Sequence, residues 1–407
     1  MKIIDGGVTA AIGFQASAAC AGIKNTEKND MAMLYSVVPC TAAGTFTTNL
    51  VKAAPVRWDQ HIIYECNTAQ AVVCNSGVAN ACTGMEGYKA CESTAACAAE
   101  VLDVKKDAVL VASTGVIGPQ IPLDKICGCI KELQPALSNS REAAHEAAVA
   151  IMTTDTRPKE AAVQVEIGGK QVTIGGMCKG SGMIHPNMCT MLCFITTDAD
   201  ISKNMLQKAL SAVIKDTFNM VSVDGDTSTN DTVVLLANGL AGNSPIQKED
   251  ESYAKFLEGL YEVCRMLARK IAGDGEGATA LVEVQMLHAD SKEQAVTLAK
   301  SVVTSNLTKA AIFGHDANWG RILCAMGYSG TKFDPDNLEL SFESAAGRIL
   351  IYKDGNAVDY SEEEATRILS EPEVTILADL KTGASKAIAW GCDLTYDYVS
   401  INADYRS

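Results

Sequence analysis

The stretch from Lys179 to Asp200, KGSGMIHPNMCTMLCFITTDAD, constrains the fold of this 407-residue chain more than any other. Small residues and a proline-bearing turn lead into Thr190, and the apolar run MLCFI follows at once. A short continuous apolar run of β-type residues belongs to a strand that is covered on its faces. The arrangement therefore puts a threonine hydroxyl at the mouth of a buried strand. A chain that cuts itself before Thr190 would gain an N-terminal threonine, a nucleophile with its own amine beside it.

The surrounding sequence supplies the layers that such a strand needs. Apolar faces at helical spacing fall near 88–102, 140–152, 203–217, 251–272, 291–305 and 361–370. Strand-like runs fall near 33–37, 71–74, 108–112, 162–167, 191–196, 232–237, 280–288 and 386–391. Strands come in clusters as well as in alternation with helices, which predicts a layered α+β fold rather than a simple doubly wound sheet. The segment LAGNSPIQKEDE at 240–251 reads as a surface loop. Ser361 ahead of Glu363 and Glu364 reads as a helix start, with acid at the positive end of the helix dipole. No window reaches 18 uninterrupted apolar residues, so no membrane span is expected. The start MKIIDGGVTAAIGF carries Asp5 and no long apolar segment, so it does not read as a secretory signal.

Charge and cysteine usage narrow the function classes. The net charge is −15, with 15 basic against 17 acidic residues up to position 189 and 19 against 32 beyond it. An acidic chain without a basic cluster is a poor partner for nucleic acid or an anionic membrane. Fifteen cysteines are scattered without a C-x-x-C pair, which favours buried thiols in a reducing cytoplasm over a disulfide framework or a zinc site. The five histidines, His61, His145, His185, His288 and His315, show no ligand spacing, and no metal is expected.

Three further segments carry the parts that a threonine nucleophile requires. In VLVASTGVIG at 109–118 a buried strand runs into Thr114 and Gly115, whose hydroxyl and amide would make a two-donor oxyanion hole. The freed α-amine of Thr190 would titrate near neutral pH and act as a local base. Lys179 could pair with a carboxylate, the hydroxyl-rich run TTDTRPK at 153–159 follows a helix, and Glu276 in the glycine-rich GDGEGAT could bind an ammonium. Each has a plainer structural alternative: a strand-initiating threonine, a strand-to-turn transition, a solvated lysine, a capping turn, a hairpin carboxylate.

Taken together the segments resemble one family nearly end to end. They are GGVTAAIGF at 6–14, AAGTFTTNLVKAAPV at 42–56, NSGVANACTG at 75–84, STGVIG at 113–118 and MTTDTRPK at 152–159. GGMCKGSGMIHPNMCTML at 175–192, GDGEGAT at 273–279, GHDANWGRI at 314–322 and the C-terminal INADYRS at 401–407 complete the set. The chain is similar to the ArgJ family, the ornithine acetyltransferases or glutamate N-acetyltransferases of arginine biosynthesis. The resemblance implies a layered α/β/β/α sandwich of the ArgJ/DmpA-like type, cut at Cys189–Thr190 into interlocked fragments 1–189 and 190–407. It implies Thr190 as nucleophile, Thr114 and Gly115 as oxyanion hole, and Thr153, Lys179, Thr190, Glu276, Asn402 and Ser407 as substrate contacts. Which of Thr153, Thr154 and Thr156 serves stays open, and use of Asn402 and Ser407 requires the C-terminal tail to fold back over the site.

The implied reaction is ping-pong transfer of acetyl from N-acetylornithine to glutamate, with no cofactor. Acetyl-CoA as a second acetyl donor stays open. An α2β2 heterotetramer in the cytoplasm is implied as well, with no nucleic-acid or membrane partner. Two positions depart from the family pattern: Cys189 stands where alanine is common, and Val78 where the common form NSGNAN has asparagine. A related N-terminal-threonine amidase or aminopeptidase, passing the acyl group to water, is the competing enzyme reading. A non-catalytic binding protein of the same fold is the third.

Overall fold

The computed structural model describes residues 1–24, 27–66, 68–185 and 191–403. Cys189, Thr190 and Ser407 lie outside these residues. Among the described residues, two sheets and their covering helices form the layered α+β sandwich expected.

The larger, nine-stranded sheet runs Lys2–Ile4, Lys159–Ile167, Lys170–Lys179, Leu192–Thr197, Thr232–Ala237, Met31–Phe46, Ala69–Val78 and Val109–Val116, with Phe14–Ala19 also paired to Met31–Phe46. The strand foreseen after Thr190 lies at its centre, and all six residues of Leu192–Thr197 are buried. It pairs antiparallel with Lys170–Lys179 and parallel with Thr232–Ala237. Both faces are covered, which is why its residues are buried without alternation. Strands from before position 189 flank Leu192–Thr197 and Thr232–Ala237 on both sides, so the two parts of the chain interlock in one sheet.

One face carries the helices Ala54–Glu65, Gly84–Leu102, Leu123–Leu133 and Arg141–Ala150. Their alanines, Ala95, Ala98, Ala144, Ala147 and Ala148 among them, are fully buried and allow close approach to the sheet. The other face carries Lys203–Asp216 and the long helix Glu251–Ala272. The long helix starts at Asp250, whose carboxylate accepts from Tyr253 N at 3.2 Å, and buries Phe256, Leu260, Val263, Leu267 and Ile271 at helical spacing. It touches the larger sheet and also the smaller, seven-stranded one, which is built wholly from residues beyond 220.

The predicted segments all fall on elements of the right kind, and Ser361 caps its helix by accepting from Glu364 N. The helices Ala54–Glu65, Leu123–Leu133, Asn306–Phe313, Trp319–Gly327 and Tyr396–Ala403 were not foreseen. Nor was the strand Lys170–Lys179, whose interior carries Gly175 and Gly176. A Cβ at 175 would overlap the carbonyl of Gly7, so close backbone approach explains a glycine where a strand pattern calls for an apolar side chain. Cys97 and Cys127 are disulfide-bonded, joining the helices Gly84–Leu102 and Leu123–Leu133. This single bond departs from the expectation of thiols alone; two cysteines 30 residues apart on separate helices give no spacing signal. No described helix is long and apolar enough to cross a membrane.

Candidate active site

An open pocket of about 730 Å³ lies where the ends of the central strands meet three loops. Thr114, Gly115, Thr153, Lys179, Glu276 and Asn402 all line it, as does Met191, the residue that follows Thr190. Six of the residues singled out in the sequence thus share one wall-to-wall space, although they come from five separate segments.

Thr114 and Gly115 sit at the end of Val109–Val116, paired in parallel with Ser76 and Gly77. The register breaks at Gly77 and Val78, which turns the strand end toward the pocket. Gly115 has φ 130°, and a Cβ there would overlap the Gly77 carbonyl, so only glycine fits. Around this turn the Asn230 amide donates to Ala79 O at 2.6 Å and Ser113 O at 2.8 Å. Ser113 in turn donates to Asn75 Oδ1 at 2.7 Å, and Asn75 Nδ2 donates to Val78 O at 2.9 Å. Position 78 therefore serves this network through its backbone, while the Val78 side chain packs against the apolar core.

Lys179 closes its strand with Nζ 2.8 Å from Thr153 Oγ1 and 3.8 Å from Asp155 Oδ2. Burial by itself would push the Asp155 carboxyl up. The ammonium groups of Lys179 and Lys159, with the Lys159 bond and the Gly180 amide, outweigh burial and hold it well below the usual carboxylate range. Lys159 is 1% exposed and donates to Asp155 Oδ1 at 2.6 Å and Asp274 Oδ2 at 2.5 Å. Burial lowers its pKa, but the two carboxylates prevail and raise it. This buried triad ties the loop 153–159 to the loop 273–277. Of the hydroxyl run, Thr153 and Thr154 line the pocket, whereas Thr156 is bonded to Asp274.

Glu276 faces the pocket from the opposite side and is 7% exposed. A Cβ at Gly182 would overlap its carboxylate, so that glycine makes the room. Asn402 Nδ2 donates to Glu276 Oε2 at 2.7 Å. The C-terminal helix Tyr396–Ala403 thus does fold back over the site. It rests on Gly277, at φ 68°, where a side chain would press on Tyr398 N at 2.7 Å. The Asp224 carboxylate accepts from Met183 N at 2.6 Å and Ile184 N at 2.8 Å, fixing the loop after Lys179. Burial pushes Asp224 up, and burial with the nearby Asp224 raises the Tyr398 phenol.

The sequence reading missed the segment 228–231, STND. Ser228, Thr229, Asn230 and Asp231 all line the pocket. A dense run of hydroxyl, amide and acid ahead of the fully buried strand Thr232–Ala237 was the available signal. Lys179 on one side, Glu276 on the other and Thr114 with Gly115 in the same wall suit a small zwitterionic amide. Among the described residues no three His, Cys, Asp or Glu side chains cluster as a metal site.

Comparison with known proteins shows the family. The model of the ArgJ family matches residues 15–407. The arginine biosynthesis bifunctional protein ArgJ of Thermotoga neapolitana is 51% identical over 382 residues, 94% of this chain and 96% of that protein. The protein of the same name from Symbiobacterium thermophilum is 51% identical over the full length of both. A crystal structure of the Bacillus halodurans arginine biosynthesis bifunctional protein is 48% identical, covering 53% of this chain and 99% of that one, with a TM-score of 0.50.

Proposed function

Because the chain belongs to the ArgJ family of bifunctional arginine-biosynthesis proteins, we propose that its pocket moves acetyl from N-acetylornithine to glutamate through an ester on Thr190. The protein is an acyltransferase of arginine biosynthesis. The observation that carries the residue-level reading is the meeting of Thr114 and Gly115 with the Lys179–Thr153 and Glu276–Asn402 pairs in one pocket, bordered by Met191.

In this reading the Cys189–Thr190 bond is first cut, giving fragments of 189 and 218 residues and a free amine on Thr190. The Thr190 hydroxyl attacks the acetyl carbonyl, and the oxyanion is stabilised by the Thr114 hydroxyl and the Gly115 amide. Ornithine leaves with a proton from the Thr190 amine, and an acetyl ester remains. Lys179 pairs with the substrate carboxylate and Glu276 with its ammonium. Glutamate enters the same space, its amine attacks the ester, and N-acetylglutamate departs. One amide replaces another, so neither ATP nor a bound cofactor is required. Ser407 would complete the substrate contacts from the end of the chain.

Support for the cut comes from the solved Bacillus halodurans chain, which matches only 53% of this one although nearly all of it is covered. That is the share one product of a cut at 189–190 would have. The word bifunctional in the relatives' names fits a second activity, and acetyl-CoA as alternative donor is the reading adopted for it. Two copies of each fragment in the cytoplasm complete the proposal.

Intact mass under denaturing conditions, with an assay of acetyl transfer from N-acetylornithine to glutamate, tests it. Two fragments and transfer are expected, and Thr190→Ala is expected to leave the chain uncut and inactive. A single unbroken chain in active protein, or deacetylation to water without transfer, overturns the reading.

A further inference from the structure

One buried carboxyl at the pocket has no counterpart among the described residues. Asp231 lines the pocket and is 1% exposed, and among the described residues neither of its carboxyl oxygens has a hydrogen-bond partner. Its backbone is pinned on both sides. Thr47 N donates to Asp231 O at 3.0 Å on one side, and on the other Thr232 N donates to Met191 O at 2.8 Å. The amide of Met191 and the hydroxyls of Ser228 and Thr47 face the carboxyl without completing a well-formed bond. The Thr47 hydroxyl is in any case given to Ser228 O at 2.8 Å. Lys179, the cation whose field reaches Asp231, spends its ammonium on Thr153 and Asp155.

A carboxylate offers about four acceptor sites, and leaving them empty out of water costs free energy. The missing group must therefore donate hydrogens, and one that carries positive charge would also favour the ionised carboxylate against burial. A divalent cation would need further oxygen ligands, and the described residues hold no such cluster. A primary ammonium, with three donors on one centre, meets the need with no other help. Acyl transfer between amines brings such a group to the pocket at every half-reaction.

We propose that Asp231 is a second amine-binding carboxylate of this pocket, apart from Glu276, holding a primary amine beside the oxyanion pair during acyl transfer. No bond of the substrate is made or broken at Asp231; it receives N–H hydrogen bonds and balances charge. The inference rests on the acetyl-transfer reading. Burial pushes the carboxyl well above its ordinary range in the empty pocket, so an arriving ammonium also draws it into its charged form. Two amines have this chemistry: the substrate's, and the α-amine that a cut before residue 190 would free on the chain itself.

Asp231→Asn keeps the shape and removes the charge. The expected result is a fall of about tenfold to a hundredfold in kcat for transfer from N-acetylornithine to glutamate, the cost of a charge-assisted bond. Asp231→Glu is expected to recover part of that rate. A second substrate, p-nitrophenyl acetate, delivers acetyl with no amine in the leaving group, and its p-nitrophenolate burst separates the sources. A burst preserved in Asp231→Asn assigns the contact to the substrate amine, and a burst lost assigns it to the chain's own. Asp231→Asn with kcat and KM within about twofold of wild type overturns the proposal, as does a loss that Asp231→Glu shares fully. If Asp231→Asn stays uncut, Asp231→Glu alone decides: cut and active supports, cut and inactive overturns. Wild-type transfer in the same assay tests the acetyl-transfer reading separately, so the two failures are told apart.

Discussion

Asp155 and Asp59 are both buried carboxylates, and the fold treats them in opposite ways. Asp155 is met by Lys159, Lys179 and the Gly180 amide, and is held far below the ordinary carboxylate range. Asp59, on the helix Ala54–Glu65, is fully buried and accepts only from Val111 N at 2.8 Å. Burial pushes its pKa well above the usual value, and Oδ2 has no partner. The first carboxylate holds two loops together through charge. The second positions the strand Val109–Val116, which ends in Thr114 and Gly115, through one backbone amide and with no ion pair among the described residues. Burial alone therefore does not predict what a carboxylate does here; the presence of a cation decides.

The largest effect is expected where the paired side of this comparison is broken. Lys159→Met leaves Asp155 and Asp274 buried with no mutual cation. Removing one partner of a buried ion cluster typically costs about 3–5 kcal/mol. The urea midpoint should fall accordingly, and replacing Asp155 and Asp274 by asparagine in the same chain should recover part of the loss. A midpoint unchanged by Lys159→Met would mean that water or loop movement compensates the charges, and the triad would not be what ties the loops. The depressed pKa of Asp155 adds a pH signature. Its contribution is present above the ordinary carboxylate pKa and is lost as pH falls through and below that range, so wild type should lose more stability toward pH 3 than the triple variant.

The unpaired side carries the opposite sign and a smaller size. Asp59 titrates higher in the folded than in the unfolded chain, so its contribution is fullest below the ordinary carboxylate pKa and erodes as pH rises. Asp59→Asn can keep the acceptor for Val111 N and abolishes the titration. Melting temperature measured at pH 5 and pH 8 should show the variant gaining on wild type at the higher value. Wild type gaining on the variant instead would show that Asp59 is charged and has a cationic partner in solution.

How far these contrasts were legible in the sequence depends on whether they are local. Strands such as Leu192–Thr197 and helices such as Glu251–Ala272 announced themselves by period, because burial acts on each element separately. Thr114, Gly115, Lys179 and Glu276 were found through motifs whose residues are contiguous. Asp231 was not, because only the sheet register carries position 231 beside Met191, some forty residues away. The choice between Thr153 and Thr156 was equally invisible, since it depends on Asp274 reaching back 118 residues. Lys170–Lys179 was hidden by Gly175 and Gly176, the first of which makes room for the Gly7 carbonyl.

The smallest effect belongs to the pair that is charged on one side only, Asn402 and Glu276. The Asn402 amide donates to a buried carboxylate, but the residue itself stands exposed on the C-terminal helix. A solvent-facing donor can be replaced by water at modest cost, so Asn402→Ala should remove about 0.5–1.5 kcal/mol of substrate binding. That is a rise of roughly twofold to tenfold in KM for N-acetylornithine with kcat little changed. The split between the two constants is what matters. A fall in kcat of the same size as the rise in KM would mean that the helix Tyr396–Ala403 orders Glu276 for the reacting state. The exposed helix would then belong with Lys159 among the groups that shape the pocket rather than with those that merely touch its contents.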